Sequence, residues 1–146
     1  MPVGNIAEGA LRAAACRRAQ TPVAAGDSRL TPGFRLSAKY IVHCVGPTDG
    51  KDATALRGCY TSALDLCREN GIGSIAFCCI ATGIFGFPNR LAAATAIAAV
   101  RDWLATSEAN RSALTRVVFC LFLPRDVALY EEMCAELLPA GLLQSR

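Results

Sequence analysis

Two near-continuous apolar runs constrain this chain more than any other feature: Ser-Ile-Ala-Phe-Cys-Cys-Ile at Ser74–Ile80 and Arg-Val-Val-Phe-Cys-Leu-Phe-Leu at Arg116–Leu123. A strand with one wet face alternates apolar and polar residues, whereas a strand apolar on both faces belongs inside a parallel sheet. A third run, Lys39–Val45, is rich in β-branched and aromatic residues and is closed by Gly46-Pro47. Helical patterns separate these runs. From Ala53 to Asn70, Leu56, Tyr60, Ala63/Leu64 and Cys67 recur at helical spacing, and Gly71 supplies a left-handed stop. Arg90–Leu104 repeats Ala93, Ala96/Ile97, Val100 and Trp103/Leu104, and Val127–Leu138 repeats Tyr130, Met133/Cys134 and Leu137. Upstream, Ile6–Arg18 reads as a helix, and Asp27–Thr31 as a short extended piece before the Pro32-Gly33 turn. Strands alternating with helices predict an α/β chain, a three-layer α/β/α domain.

The chain has 146 residues, the length of one domain, and a hydrophobic fraction of 53% excludes intrinsic disorder. Nowhere do about 18 uncharged apolar residues run together, so no membrane-spanning helix is expected. Residues 1–20 mix Glu8, Arg12, Arg17 and Arg18 among alanines, unlike a signal peptide. The 15 basic residues exceed the 12 acidic ones by a formal +3, and Arg17–Arg18 is the one close pair. That spread argues against a dedicated nucleic-acid reader, and leaves weak electrostatic help for an anionic ligand. The eight cysteines include no CxxC pair and stand beside a single histidine, which argues against a zinc site; no metal or cofactor is expected. Cysteines scattered through apolar segments behave as small buried hydrophobes in a reducing, cytoplasmic compartment.

The richest chemical signal lies at Thr82-Gly-Ile-Phe-Gly-Phe-Pro-Asn89, between a buried strand and a periodic helix. Ligands of open α/β sheets bind beyond the carboxyl ends of strands. A glycine-containing turn lets backbone N–H groups approach an anion, and a helix amino terminus adds a favourable dipole. Gly83 and Gly86 supply backbone freedom, while Phe85 and Phe87 offer flat apolar surfaces for a ribose or base. The alternative is a tight connection whose aromatics enter the core. Gly-x-x-Gly also falls short of the dinucleotide-binding fingerprint. Elsewhere, His43 reads as a hydrogen-bonded core histidine, Cys78 and Cys79 point to opposite faces of their strand, and Arg90 and Arg101 occupy an exposed helix face.

Thr82–Pro88 resembles the signature loop of macrodomains, the ADP-ribose-binding family, and is closest to the MacroD-type hydrolases. Gly26–Pro47 is similar to that family's strand–turn–strand segment, Leu56–Leu66 to its next helix, and Arg101–Leu104 and Val118–Asp126 to its closing segments, with Tyr130 at a position where the family often has tyrosine. The likeness covers about Gly26–Leu138. It implies a single macrodomain-like domain over 1–146 and a cleft for ADP-ribose, free or on an ADP-ribosylated protein. Gly83, Ile84, Phe85 and Gly86 would wrap the diphosphate through backbone amides. Phe85 would lie against the distal ribose, and Phe122 matches the position from which an aromatic stacks on adenine.

The resemblance breaks at the amino terminus. The family's early strands and Asn-Ala-Ala-Asn motif have no counterpart, and only Val3-Gly4-Asn5 stands for its first loop, without the aspartate. The expectation is an amino-terminally truncated macrodomain in which Ser74–Ile80 and Tyr40–Val45 re-pair, a partner chain or domain covers a gap between them, or the chain is a fragment of a longer protein. The resemblance implies hydrolysis of ADP-ribosyl groups from modified proteins or of O-acetyl-ADP-ribose. A non-catalytic ADP-ribose-binding module and an inactive remnant are the alternatives. No catalytic residue is assigned; Glu8 is a candidate acid or base, or simply a solvated helix carboxylate.

Overall fold

The computed structural model describes residues 22–139, so the helix expected at Ile6–Arg18, Glu8 and Val3-Gly4-Asn5 lie outside the described residues. The chain runs β1 (Ser28–Pro32), β2 (Tyr40–Cys44), α1 (Ala53–Glu69), β3 (Ser74–Phe77), α2 (Asn89–Thr106), α3 (Glu108–Ala113), β4 (Arg116–Phe119) and α4 (Pro124–Leu137). β1 pairs antiparallel with β2, Leu30 opposite Val42, and β3 pairs parallel with β4, Phe77 opposite Phe119. The described strands thus form two two-stranded sheets, and β2 and β3 share no ladder. The expected re-pairing of these two strands does not occur.

A helix joins the sheets. On the β1 side of α1, the Ser62 hydroxyl lies 2.7 Å from that of Ser28; on the other side, Tyr60 meets Phe77 edge-on at 5.0 Å. Leu56, Tyr60 and Leu64 are fully buried, and with Phe87, Ile97, Trp103 and Met133 they form the core between α1, α2, α4 and the parallel pair. Burying each such side chain contributes roughly 1.5–3 kcal/mol, far more than one ladder hydrogen bond. Phe119, stacked on Phe77 at 6.1 Å and tilted against Tyr130 at 5.1 Å, carries the same core to α4. Ala76 and Val118 point to the opposite face and are exposed.

Both ends of α1 are set by local chemistry. Asp52 caps its start by accepting from the Ala55 amide at 2.9 Å. At its end the Ile72 amide reaches the Cys67 carbonyl at 2.8 Å and the Gly71 amide turns to Arg68, with Gly71 at φ +63°, the motif that lets glycine stop a helix.

β3 and β4 are shorter than their apolar runs. β3 stops at Phe77 rather than Ile80, β4 at Phe119 rather than Leu123, and α4 begins at Pro124 instead of Val127. Beyond the strand ends Ile80 and Leu121 pack on the core, whereas Cys78, Cys120 and Phe122 are exposed. α3 lies where no helix was expected. The domain is an α/β fold.

Candidate ligand site

Past the end of β3 the chain rises to Ile80, which is buried, and turns over at Ala81, whose φ of +62° is strained for a residue with a Cβ. Two hydrogen bonds shape the loop beyond it. The Phe87 amide returns to the Ala81 carbonyl at 3.0 Å, closing the loop at its base, and the Gly86 amide donates to the Gly83 carbonyl at 3.0 Å, closing the turn at its tip. Gly86 takes φ +64°, which its lack of a Cβ permits. Thr82 is half-buried and donates its hydroxyl to the Cys79 carbonyl at 3.4 Å.

The tip faces solvent. Gly83 and Gly86 are exposed, Ile84 is fully so, and Phe85 keeps 47% of its surface open. A Cβ added at Gly83 would meet nothing within 4 Å, so its α-hydrogen borders open space. Among the described residues, no backbone acceptor meets the amides of Gly83, Ile84 and Phe85. They are therefore available to an anion, and the loop opens directly onto α2, whose amino terminus has no side-chain cap and no acidic residue in its first turn. Unpaired donors beside the positive end of a helix dipole make an anion-binding concavity.

Two expectations need correction here. Phe87 is 1% exposed and belongs to the core beside Leu56 and Ile97, so its ring cannot face a ligand. The reading in which an aromatic of this turn enters the core is thus right for Phe87, while Phe85 stays open. Gly86 does not offer its amide, which is spent inside the turn; the wrap reduces to Gly83, Ile84 and Phe85. Phe122 stands three residues past β4 and is 91% exposed, a bare ring on the connection into α4.

A neighbouring loop, which sequence alone marks only as a polar connection, supports this one. Gly50, at φ +67°, lies so close that a Cβ would sit 2.7 Å from the Phe85 carbonyl oxygen and 3.2 Å from that of Gly86. Asp49 shapes that support by accepting from the amides of Lys51 at 2.9 Å and Asp52 at 3.1 Å, and these bonds hold its carboxyl below the usual range. The signal was Asp49-Gly50, a turn pair whose glycine takes positive φ.

The remaining candidates fall outside the site. His43 shares a 2.9 Å hydrogen bond with the Thr31 hydroxyl. Arg90 pairs at 2.7 Å with Glu132, and Arg101 with Asp102. Cys78 is exposed and Cys79 half-buried, just past the end of β3. Among the described residues no group of His, Cys, Asp or Glu is arranged to hold a metal, and no helix is long and apolar enough to cross a membrane.

Comparison with known proteins places this loop in context. A family model described as "Macro domain" matches residues 7–96. The ADP-ribose glycohydrolase MACROD1 of Mus musculus is 39% identical over 140 residues, covering 92% of this chain and 42% of the relative. The protein-ADP-ribose hydrolase of Treponema medium is 47% identical over 114 residues, covering 74% of this chain and 42% of the relative. The chain thus spans under half the length of either relative. A solved Trypanosoma brucei macrodomain in complex with ADP-ribose superposes with a TM-score of 0.70 at 38% identity, covering 75% of this chain and 45% of that one. With the family model covering more than half its length, the chain belongs to the macrodomain family.

Proposed function

We propose that this chain binds ADP-ribose, free or attached to a protein, at the loop between β3 and α2. One observation carries the reading: three consecutive amides, Gly83–Phe85, meet no backbone acceptor among the described residues and lie before the uncapped start of α2. A diphosphate, with its several anionic oxygens, is the group such a row of donors suits. Phe85 supplies a surface for the distal ribose. Phe122 supplies a stacking platform for adenine, an interaction worth about 1–3 kcal/mol per base.

Hydrolysis is the activity we propose for the bound ligand, the substrate being an ADP-ribosylated protein or O-acetyl-ADP-ribose. Water attacks at the distal ribose and breaks its bond to the modified protein, or attacks the ester carbonyl and releases acetate, and the chain's part is to hold the diphosphate and orient the sugar toward that water. A second reading, binding without turnover, is favoured by one fact. Between Ile80 and Pro88 no side chain can act as an acid or base near neutral pH.

Calorimetric titration with ADP-ribose tests the site. Gly83→Glu projects a carboxylate into the space that now lies open beside the free amides, and binding should fall beyond detection. Retained binding in that variant would show that the loop is the wrong site. Release of labelled ADP-ribose from a mono-ADP-ribosylated protein then separates the hydrolase from the binding module.

A further inference from the structure

Phe122 and the Gly83–Phe85 amides come from different elements, and a ligand spanning both needs their spacing fixed. One buried carboxylate lies between those elements. Asp126, in the first turn of α4 and four residues past Phe122, is only 5% exposed. The Asn89 side-chain amide donates to it at 2.6 Å, and Asn89 is the first residue of α2, directly after the loop. Cys79, half-buried, leads into the loop from its other end. Burial first, and Asp126 second, push its thiol above the ordinary value. The carboxylate at the start of α4, four residues past Phe122, therefore holds the residue that ends the loop running from Ile80 to Pro88. A burial this deep, with a hydrogen bond to a neutral amide rather than an ion pair, is unusual for aspartate.

We propose that Asp126 is a positioning residue: by holding Asn89 it fixes the diphosphate loop relative to Phe122, so that one ligand engages both. The proposal rests on the ADP-ribose reading and adds to it the device that makes the two halves of the site one site. If Asp126 only stabilised the fold, its loss would lower the melting temperature and leave the effect of Phe122 unchanged. If it sets the spacing, its loss uncouples the two halves.

The test is a double-mutant cycle on the whole chain, with ADP-ribose affinity measured by calorimetry and the melting temperature recorded for every variant. In the unaltered background Phe122→Ala should weaken binding about tenfold. Asp126→Ala alone should weaken it about tenfold or more, since a misplaced site loses affinity without losing a contact. In the Asp126→Ala background, Phe122→Ala should then cost less than about threefold. Asp126→Asn, which keeps an acceptor oxygen for Asn89, should restore most of the coupling. Should Asp126→Ala fail to fold, Asn89→Ala takes its place in the cycle, because it removes the donor and leaves the carboxylate. A Phe122→Ala penalty of full size in the folded Asp126 or Asn89 variant overturns the proposal while leaving the binding reading intact. Failure of the unaltered chain to bind ADP-ribose overturns the binding reading itself, and the positioning role with it.

Discussion

Several side chains here act through what their backbone neighbours require. Gly50 is the clearest: both its positive φ and the Phe85 carbonyl 2.7 Å from the place of a Cβ demand glycine. Gly50→Ala should lose about 1–2 kcal/mol of stability in urea titrations, because the left-handed region is costly to other residues and the ligand loop must move. Gly83→Ala should leave stability within about 1 kcal/mol, since its added methyl meets nothing and its φ is not left-handed. The opposite outcome would mean that the two loops do not lean on each other. Cysteine offers a second residue-scale prediction. The Cys59 thiol donates to the Val45 carbonyl at 3.3 Å, with Cys44 nearby in the chain's fold acting on it electrostatically. A hydrogen bond given by the Cys59 thiol favours the Cys44 thiolate and holds Cys44 below the ordinary thiol value, against the opposing effect of burial. The thiolate is the reactive form, so alkylation of Cys44 should rise with pH through a midpoint below that of an ordinary thiol. Removing the donor with Cys59→Ala should move that midpoint upward, as peptide mapping of alkylated sites would show. An unmoved midpoint would leave the depressed pKa without its cause.

Elements show why some of the fold was legible in the sequence and some was not. α1, α2 and α4 were readable because each buries an apolar stripe, and hydrophobic spacing reports such stripes. α3 was not, because it has none. Its one buried residue is Asn110, which donates to the Trp103 carbonyl at 2.8 Å and accepts from Arg68. Ser107 caps it by accepting from the Asn110 amide at 3.1 Å. A helix held to its neighbours by a polar side chain is invisible to a search for apolar periodicity. Asn110→Ala should accordingly destabilise the domain by about 1–3 kcal/mol, since it strands a buried carbonyl and unseats Arg68 from its place over Trp103. Thermal unfolding of that variant beside an exposed control, Ser112→Ala, checks it; equal melting temperatures would show that α3 is a passenger. The strand ends were misread for a related reason. Ile80 and Leu121 are apolar because they pack on the core beyond the strand ends, and composition alone does not tell a strand's last residue from the loop residue that follows it. The candidate loop was legible as a glycine-containing turn between a strand and a helix, but the placement of its rings was not: two phenylalanines two residues apart look alike in sequence, yet one faces solvent and the other is sealed in the core.

For the molecule as a whole, that contrast connects stability to binding. The two described sheets share no ladder, so the core about α1 and α2 carries the cohesion, and Phe87 fastens the ligand loop to it. Phe87→Ala removes a ring that is 1% exposed, and should cost about 3–5 kcal/mol of stability as the cavity it leaves relaxes only in part. Phe85→Ala removes a ring that is 47% exposed and should leave unliganded stability nearly unchanged. Ligand linkage reverses their order. A ligand that binds only the folded chain at about a hundred times its dissociation constant stabilises by roughly 2.7 kcal/mol. For a chain of 146 residues this raises the melting temperature by about 9 °C. With ADP-ribose at one fixed concentration, the unaltered chain should show that rise. Phe85→Ala should begin at the same melting temperature and rise far less. Phe87→Ala should begin much lower, and any rise it shows then reports how much of the loop's shape survives without its anchor. Thermal scans with and without ADP-ribose measure all three. Equal ligand-induced shifts in the unaltered chain and Phe85→Ala would mean that the exposed ring is no part of the site, and that the free amides bind the diphosphate alone.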